Sequence, residues 1–221
     1  MKLILTLLIL TAGHLMAAPH KDFLSLNELC PEMKFEMSYS TTQNFTGAIV
    51  AGYKAPRAYM AKAPAEALCR VQQKVLKMGL TLKIFDSYRP VKGVAFFQSW
   101  AKLPETNPDV KNFYYPKYTR MQLFEMGYIA KQSSHSRGSA VDLTLHDPKE
   151  SHDLDMGSGF DYFDDISHTA SEKITATQRK NRDLLKRLME EEGFKNFAQE
   201  WWHYSFRPEP FPDQYFDFDV E

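Results

Sequence analysis

Two stretches of the chain hold residue types that can do chemistry: Ser133-Ser134-His135-Ser136-Arg137-Gly138-Ser139-Ala140-Val141-Asp142 and Glu200-Trp201-Trp202-His203. Zinc accepts His135, Asp142 and His203 as ligands, and a catalytic zinc takes three protein ligands while keeping a fourth position open for water. Glu200 stands three residues before His203, where its carboxylate can take a proton from such a water. Together these residues point to metal-assisted hydrolysis with one zinc per chain.

Spacing alone does not single out this set, because a chain with 7 histidines offers other combinations. His146, His152 and His168 stand as alternative ligands on an acidic loop, where solvated or calcium-like roles compete. Local chemistry favours His135. Ser134 and Ser136 flank it with hydroxyls, and Arg137-Gly138 permits a sharp turn close to a metal. Asp142 opens a β-prone run, a rigid place for a ligand.

The elements that must position these residues are mixed in type. Met33, Phe35, Met37 and Tyr39 alternate as in a half-buried strand. Pro64 suits a first helical turn, with Leu68, Val71, Val75 and Met78 at helical spacing and Gly79 just past the end. Thr81 to Phe85 reads as a strand running into Asp86-Ser87-Tyr88-Arg89-Pro90. Val91 to Leu103 reads as a helix, 104–120 as an aromatic loop broken by prolines, and Val141 to Leu145 as a strand. Residues 146–170 form a long acidic loop, and Ser171 to Glu192 has a helical composition. Trp201 to Phe206 alternates as a strand, so Glu200 must lie on the turn before it to share a site with His203. Without a regular βαβ alternation, the pattern predicts α+β, an antiparallel sheet with flanking helices.

The totals exclude some partners. With 27 Lys+Arg against 28 Asp+Glu and no basic block, nothing calls for nucleic acid. Aromatic residues make up 14% of the chain, consistent with a walled, apolar pocket or an aromatic core. Lys2, the apolar run Leu3 to Ala12 and Ala17-Ala18 read as a signal peptide over residues 1–18, preceding one domain over 19–221. Export to the periplasm or medium follows, with no stable membrane association after cleavage. In an oxidising compartment Cys30 and Cys69 are expected to form a disulfide.

The run from Ser134 through His135, Gly138 and Ala140 to Asp142, with Glu200 and His203, resembles the zinc D-Ala-D-Ala metallopeptidases, which share a fold with the hedgehog signalling domain. Ser133 to Leu145, Asn44-Phe45-Thr46-Gly47, Asp86 to Pro90, and Asp155-Met156-Gly157 through Phe160-Asp161 are similar to the VanX-type D-alanyl-D-alanine dipeptidases. The resemblance runs from about Phe35 to the C-terminus and implies a hedgehog/DD-peptidase-like fold. It implies zinc ligation by His135, Asp142 and His203, with Glu200 as general base that passes the proton to the leaving amine. Arg89 would stabilise the oxyanion, Asp161 would bind the substrate's ammonium, and Ser134 would hydrogen-bond the dipeptide. The implied substrate is a small D,D-dipeptide. A D,D-carboxypeptidase trimming peptidoglycan stems and a catalytically silent zinc-containing binding module are the alternatives. Resistance enzymes of this type work in the cytoplasm, so an exported chain suits D-Ala salvage better.

Overall fold

The computed structural model describes residues 20–221, so the signal peptide expected over 1–18 lies outside the described residues. Where the sequence suggests a plain arm, the chain forms β1 (Phe23–Ser25) and a single turn, α1 (Leu26–Leu29). The alternating stretch that follows yields only β2 (Lys34–Phe35) before turning into a 3-10 helix at Ser38–Ser40. Next, β3 (Tyr59–Ala61) pairs with β1 and leads into α2 (Lys62–Leu76). Burial of Leu68, Val71 and Val75 on one stripe of α2 follows from their helical spacing. Gly79, beyond its end, has φ +76°, a conformation glycine adopts without steric cost.

The six-residue β4 (Thr81–Asp86) is followed by α3 (Val91–Ala101). The proline-broken 104–120 segment is not all loop. It contains α4 (Pro108–Tyr114), which Asn107 caps and Pro108 starts, and it ends at α5 (Arg120–Glu125), which carries a Thr119/Gln122 capping box. After these come β5 (Ala140–Asp147) and the short β6 (His152–Asp153). The helix α6 (Ala176–Glu190) begins at a second capping box, Thr175/Gln178, five residues later than composition suggests. The chain then forms a hairpin of β7 (Phe194–Phe197) and β8 (Glu200–Phe206).

The main sheet runs β2-β4-β5-β8-β7, with β6 added to β5. It is antiparallel except for β2, which lies parallel to β4. The long connection through β3 and α2 is what allows that parallel pair. This is an α+β architecture.

Alternation along the central strands separates two environments. Leu82, Ile84, Val141, Leu143 and Leu145 join Leu68, Val71, Leu185 and Leu188 in an aliphatic core with α2 and α6. A second, mainly aromatic cluster gathers Tyr39, Phe45, Tyr53, Tyr88, Phe97, Trp100 and Phe163. Asp142 falls between Val141 and Leu143 on β5, and Asp86 comes opposite it through a register shift after Ile84; both are buried.

Candidate active site

Strand register places the first two donors. In the β5–β8 ladder His203 lies directly opposite Asp142, so the two side chains share a face. His203 Nδ1 is 2.9 Å from Asp142 Oδ1. His135 arrives from the turn before β5, in which the His135 carbonyl accepts from Gly138 N–H at 3.0 Å. Gly138 has φ +69°, and a Cβ there would stand 2.4 Å from a Phe23 ring carbon, so only glycine closes this turn. His135 Nε2 then lies 3.2 Å from His203 Nδ1 and 3.3 Å from Asp142 Oδ2.

Those three spacings test a metal directly. Bonds of about 2.0–2.1 Å to a tetrahedral zinc put its ligand atoms about 3.3–3.4 Å apart. The donors, all within 4.8 Å of one another, match that closely enough for a small local adjustment to seat the ion. The other ring nitrogen of His135 is 2.6 Å from the Ser87 carbonyl oxygen, an acceptor that holds the proton on Nδ1 and leaves Nε2 free to ligate. Asp142, Asp161 and Glu200 also line one cavity with a single guanidinium, Arg89, so a dication suits the local charge. The donor set fits zinc.

The alternative histidines are elsewhere. His146 bonds Asp153 at 2.7 Å, His152 is exposed beside the Asp153 carbonyl, and His168 lies 3.3 Å from the Tyr128 hydroxyl. Among the described residues, His135, Asp142 and His203 are the one group placed to hold a metal.

Glu200 reaches the site differently from the expectation that it precedes the strand. It is the first residue of β8 and pairs with Phe197, while the neighbouring Asn196 pairs with Tyr204. One step along β7 thus spans four along β8, and the bulge breaks the alternation that would turn Glu200 away from His203. Asn196 Nδ2 closes the bulge by donating to the carbonyls of both Glu200 and His203, each at 3.0 Å. Glu200 Oε2 is 3.9 Å from His203 Nδ1. Burial pushes the Glu200 carboxyl well above its usual range, and Asp142 and Asp161 push it further. Asp142 behaves oppositely: burial raises it, but His135 and His203 more than offset that and hold it ionised.

Arg89 follows β4 and donates through Nε and Nη2 to Asp86 Oδ2 at 3.0 and 2.8 Å. Asp86 is wholly buried and also accepts from the Tyr53 hydroxyl at 2.7 Å. The guanidinium lies over Tyr39 and Phe97, about 5 Å from each ring, with Nη2 3.7 Å from Asp142. Burial opposes its charge, and Asp86 overrides that, so Arg89 stays cationic.

Asp161 comes from the acidic loop and accepts from the Tyr39 hydroxyl at 2.8 Å. Ser134 lines the same cavity, with its Oγ 2.9 Å from Ser205 Oγ. All seven side chains expected at the site therefore meet around one cavity of about 180 Å³, walled by Phe45, Phe97, Tyr128, Phe163 and Trp202. Sites for drug-sized ligands run to about 300–1,000 Å³, so this one suits a much smaller molecule. Cys30 and Cys69 are bonded to each other, with Cα atoms 6.0 Å apart and away from this cavity.

Sequence reasoning assigned no role to Tyr39, Ser87, Asp86 or Ser205. Asp86 and Ser87 stood in the charged cluster at the end of β4, and Tyr39 closed an alternating run; only the fold turns them toward the metal donors.

Residues 19–221 match a peptidase family described as D-Ala-D-Ala dipeptidase. The chain belongs to that family. Three proteins named D-alanyl-D-alanine dipeptidase are similar over 90% of this chain and 98% of their own: 40% identical in Enterococcus faecium, 42% in Enterococcus faecalis and 39% in Streptomyces coelicolor. A solved Zn(II) complex of a mutant vancomycin resistance D,D-pentapeptidase, VanY, aligns at 15% identity and TM-score 0.39 over 67% of this chain and 73% of that one, too loosely to bear on the fold. Family membership identifies the chain as a metallo-dipeptidase.

Proposed function

We propose that this protein hydrolyses D-Ala-D-Ala to two D-Ala, with one zinc held by His135, Asp142 and His203. The observation that carries the reading is the small walled cavity with the donor triad, Glu200, Arg89 and Asp161 all facing it. Its size excludes most peptides, and the similarity to proteins named for this dipeptide supplies the substrate.

Bound zinc would supply Lewis acidity, polarising a carbonyl and lowering the pKa of water toward about 7. Burial and the neighbouring carboxylates raise the proton affinity of Glu200, which is what a general base for water requires. It takes a proton from water as the oxygen attacks the peptide carbonyl carbon. When the C–N bond breaks, the same carboxyl returns that proton to the leaving amine. Arg89 has Nε and Nη2 committed to Asp86, which aims the guanidinium and leaves Nη1 for the developing oxyanion. Asp161, steadied by Tyr39, takes the substrate's ammonium, and Ser134 a second polar group of the dipeptide.

We further propose that the reaction runs outside the cytoplasm, on the strength of the apolar N-terminal run. An intact Met1 in exported protein, read by mass spectrometry, would refute leader cleavage.

The deciding experiment offers zinc-loaded protein D-Ala-D-Ala and, separately, an N-acylated D-Ala-D-Ala stem peptide, with free D-Ala measured. Cleavage of the free dipeptide alone is the expected result. Equal cleavage of the acylated peptide would replace the proposal with a carboxypeptidase, and no cleavage with zinc bound would replace it with a binding module. Glu200→Gln, assayed alongside, should keep zinc and lose at least about 100-fold in kcat.

A further inference from the structure

Ser205 has no part in the reaction above, yet it lies two residues after His203 on the same face of β8 and is buried, 7% exposed. Its Oγ stands 3.3 Å from His203 Nε2 and 2.9 Å from Ser134 Oγ. His203 meets Asp142 and His135 through Nδ1, so that nitrogen must offer its lone pair to a metal. A neutral imidazole with a free Nδ1 carries its proton on Nε2, which then needs an acceptor. Ser205 Oγ is in reach. Having accepted there, its hydroxyl has its own proton to give, and Ser134 Oγ receives it. The Ser134 proton is then directed into the cavity that Ser134 lines.

We propose that Ser205 is a positioning residue with two effects. By accepting the Nε2 proton of His203, it holds the tautomer whose Nδ1 faces the metal. By donating to Ser134, it makes that serine a hydrogen-bond donor toward a carbonyl or carboxylate oxygen of the substrate. The cavity then reads a dipeptide with opposite polarities: Asp161 accepts from its ammonium, and Ser134 donates to an oxygen. The register explains why Ser205 is available, since it pairs with Ala140 two steps from the Asp142–His203 pair and so shares their face.

This inference rests on the zinc dipeptidase reading, and the test separates the two. Ser205→Ala and Ser205→Thr are compared with the native protein for zinc dissociation constant, by chelator competition, and for KM and kcat on D-Ala-D-Ala. Ser205→Ala should bind zinc about 10- to 100-fold more weakly, the usual cost of losing a hydrogen-bond partner behind a histidine ligand. Once saturated with zinc, it should show a raised KM with kcat little changed. Ser205→Thr, which keeps the hydroxyl, should recover most of both losses. Zinc affinity in Ser205→Ala within twofold of native overturns the proposal. Should the threonine methyl disturb packing, the His203 Nε2–H resonance of ¹⁵N-labelled, zinc-loaded protein decides. It should exchange slowly in the native protein and at least tenfold faster in Ser205→Ala, and an unchanged exchange rate would sink the idea. A native protein that binds no zinc would overturn the dipeptidase reading instead.

Discussion

Asp161 is held in a state its chemistry resists. Its backbone sits in the left-handed region at φ +57°, the residue is 4% exposed, and Asp142 lies near enough to repel its charge. Burial pushes its carboxyl well above the usual range, only partly countered by the Tyr39 hydrogen bond. A carboxyl raised in the folded state costs stability at any pH above its unfolded value, because the unfolded chain releases the proton more readily. Asp161→Asn keeps the shape and the bond from Tyr39 but cannot ionise. The substrate-free variant should therefore melt higher than the native protein at neutral pH, with the difference closing as pH falls below the ordinary aspartate range near 4. Its KM should rise roughly 10- to 100-fold through loss of a charged hydrogen bond to the ammonium. Thermal melts across pH, set beside KM, check both halves; a variant less stable than native at pH 7 would contradict the burial argument.

At the scale of elements, the acidic loop owes its order to a side chain outside it. Arg182, on α6 and 1% exposed, donates to the carbonyls of Met156, His168 and Ile166 at 2.6, 2.7 and 2.9 Å. Those carbonyls lie on both sides of Asp161, so one guanidinium clamps the loop that presents it. Burial lowers the Arg182 pKa to about 10, still charged at neutral pH. Arg182→Met should cost about 3 kcal/mol, since one buried and two half-buried carbonyls lose their partners. It should raise KM more than it lowers kcat, because the metal donors and Glu200 sit on β5, β8 and the turn before β5, outside the clamped loop. Denaturant unfolding together with steady-state kinetics tests this, and an unchanged KM would detach the clamp from substrate binding. The helices α2, α3 and α6 were legible in the sequence to within five residues at their ends, whereas nothing in the sequence singled out Arg182. Its partners are up to 26 residues away, and no local pattern encodes them.

Across the whole molecule, the site lies where the aliphatic and aromatic clusters meet, and distant segments fasten it from behind. Arg137, in the turn that carries His135, donates to Glu209 at 2.5 and 2.8 Å, and Phe216 N–H bonds the Ser136 carbonyl at 2.8 Å. The C-terminal segment thus pins the ligand turn. The Cys30–Cys69 bridge joins α1 to α2 at a separation of 39 residues, far from that work. By loop-closure entropy it contributes about 4 kcal/mol. Cys30→Ser/Cys69→Ser should accordingly lower stability by about that amount and leave zinc affinity unchanged, as chelator competition on the folded variant would show. Weakened zinc binding would mean that the bridge shapes the site.

By itself the sequence supplied the candidate ligands, a candidate general base, the mixed α+β character and the resemblance that pointed to Arg89, Asp161 and Ser134. These follow from residue chemistry and local periodicity, which one chain segment carries alone. Only the tertiary structure decided that His203 stands opposite Asp142, that a bulge brings Glu200 to the same face, and that Asp86, Tyr39, Ser87 and Ser205 support the residues that act. Each of those depends on strand register or on contacts between remote segments, and a one-residue slip of β8, invisible in composition, would turn His203 and Ser205 to the other face.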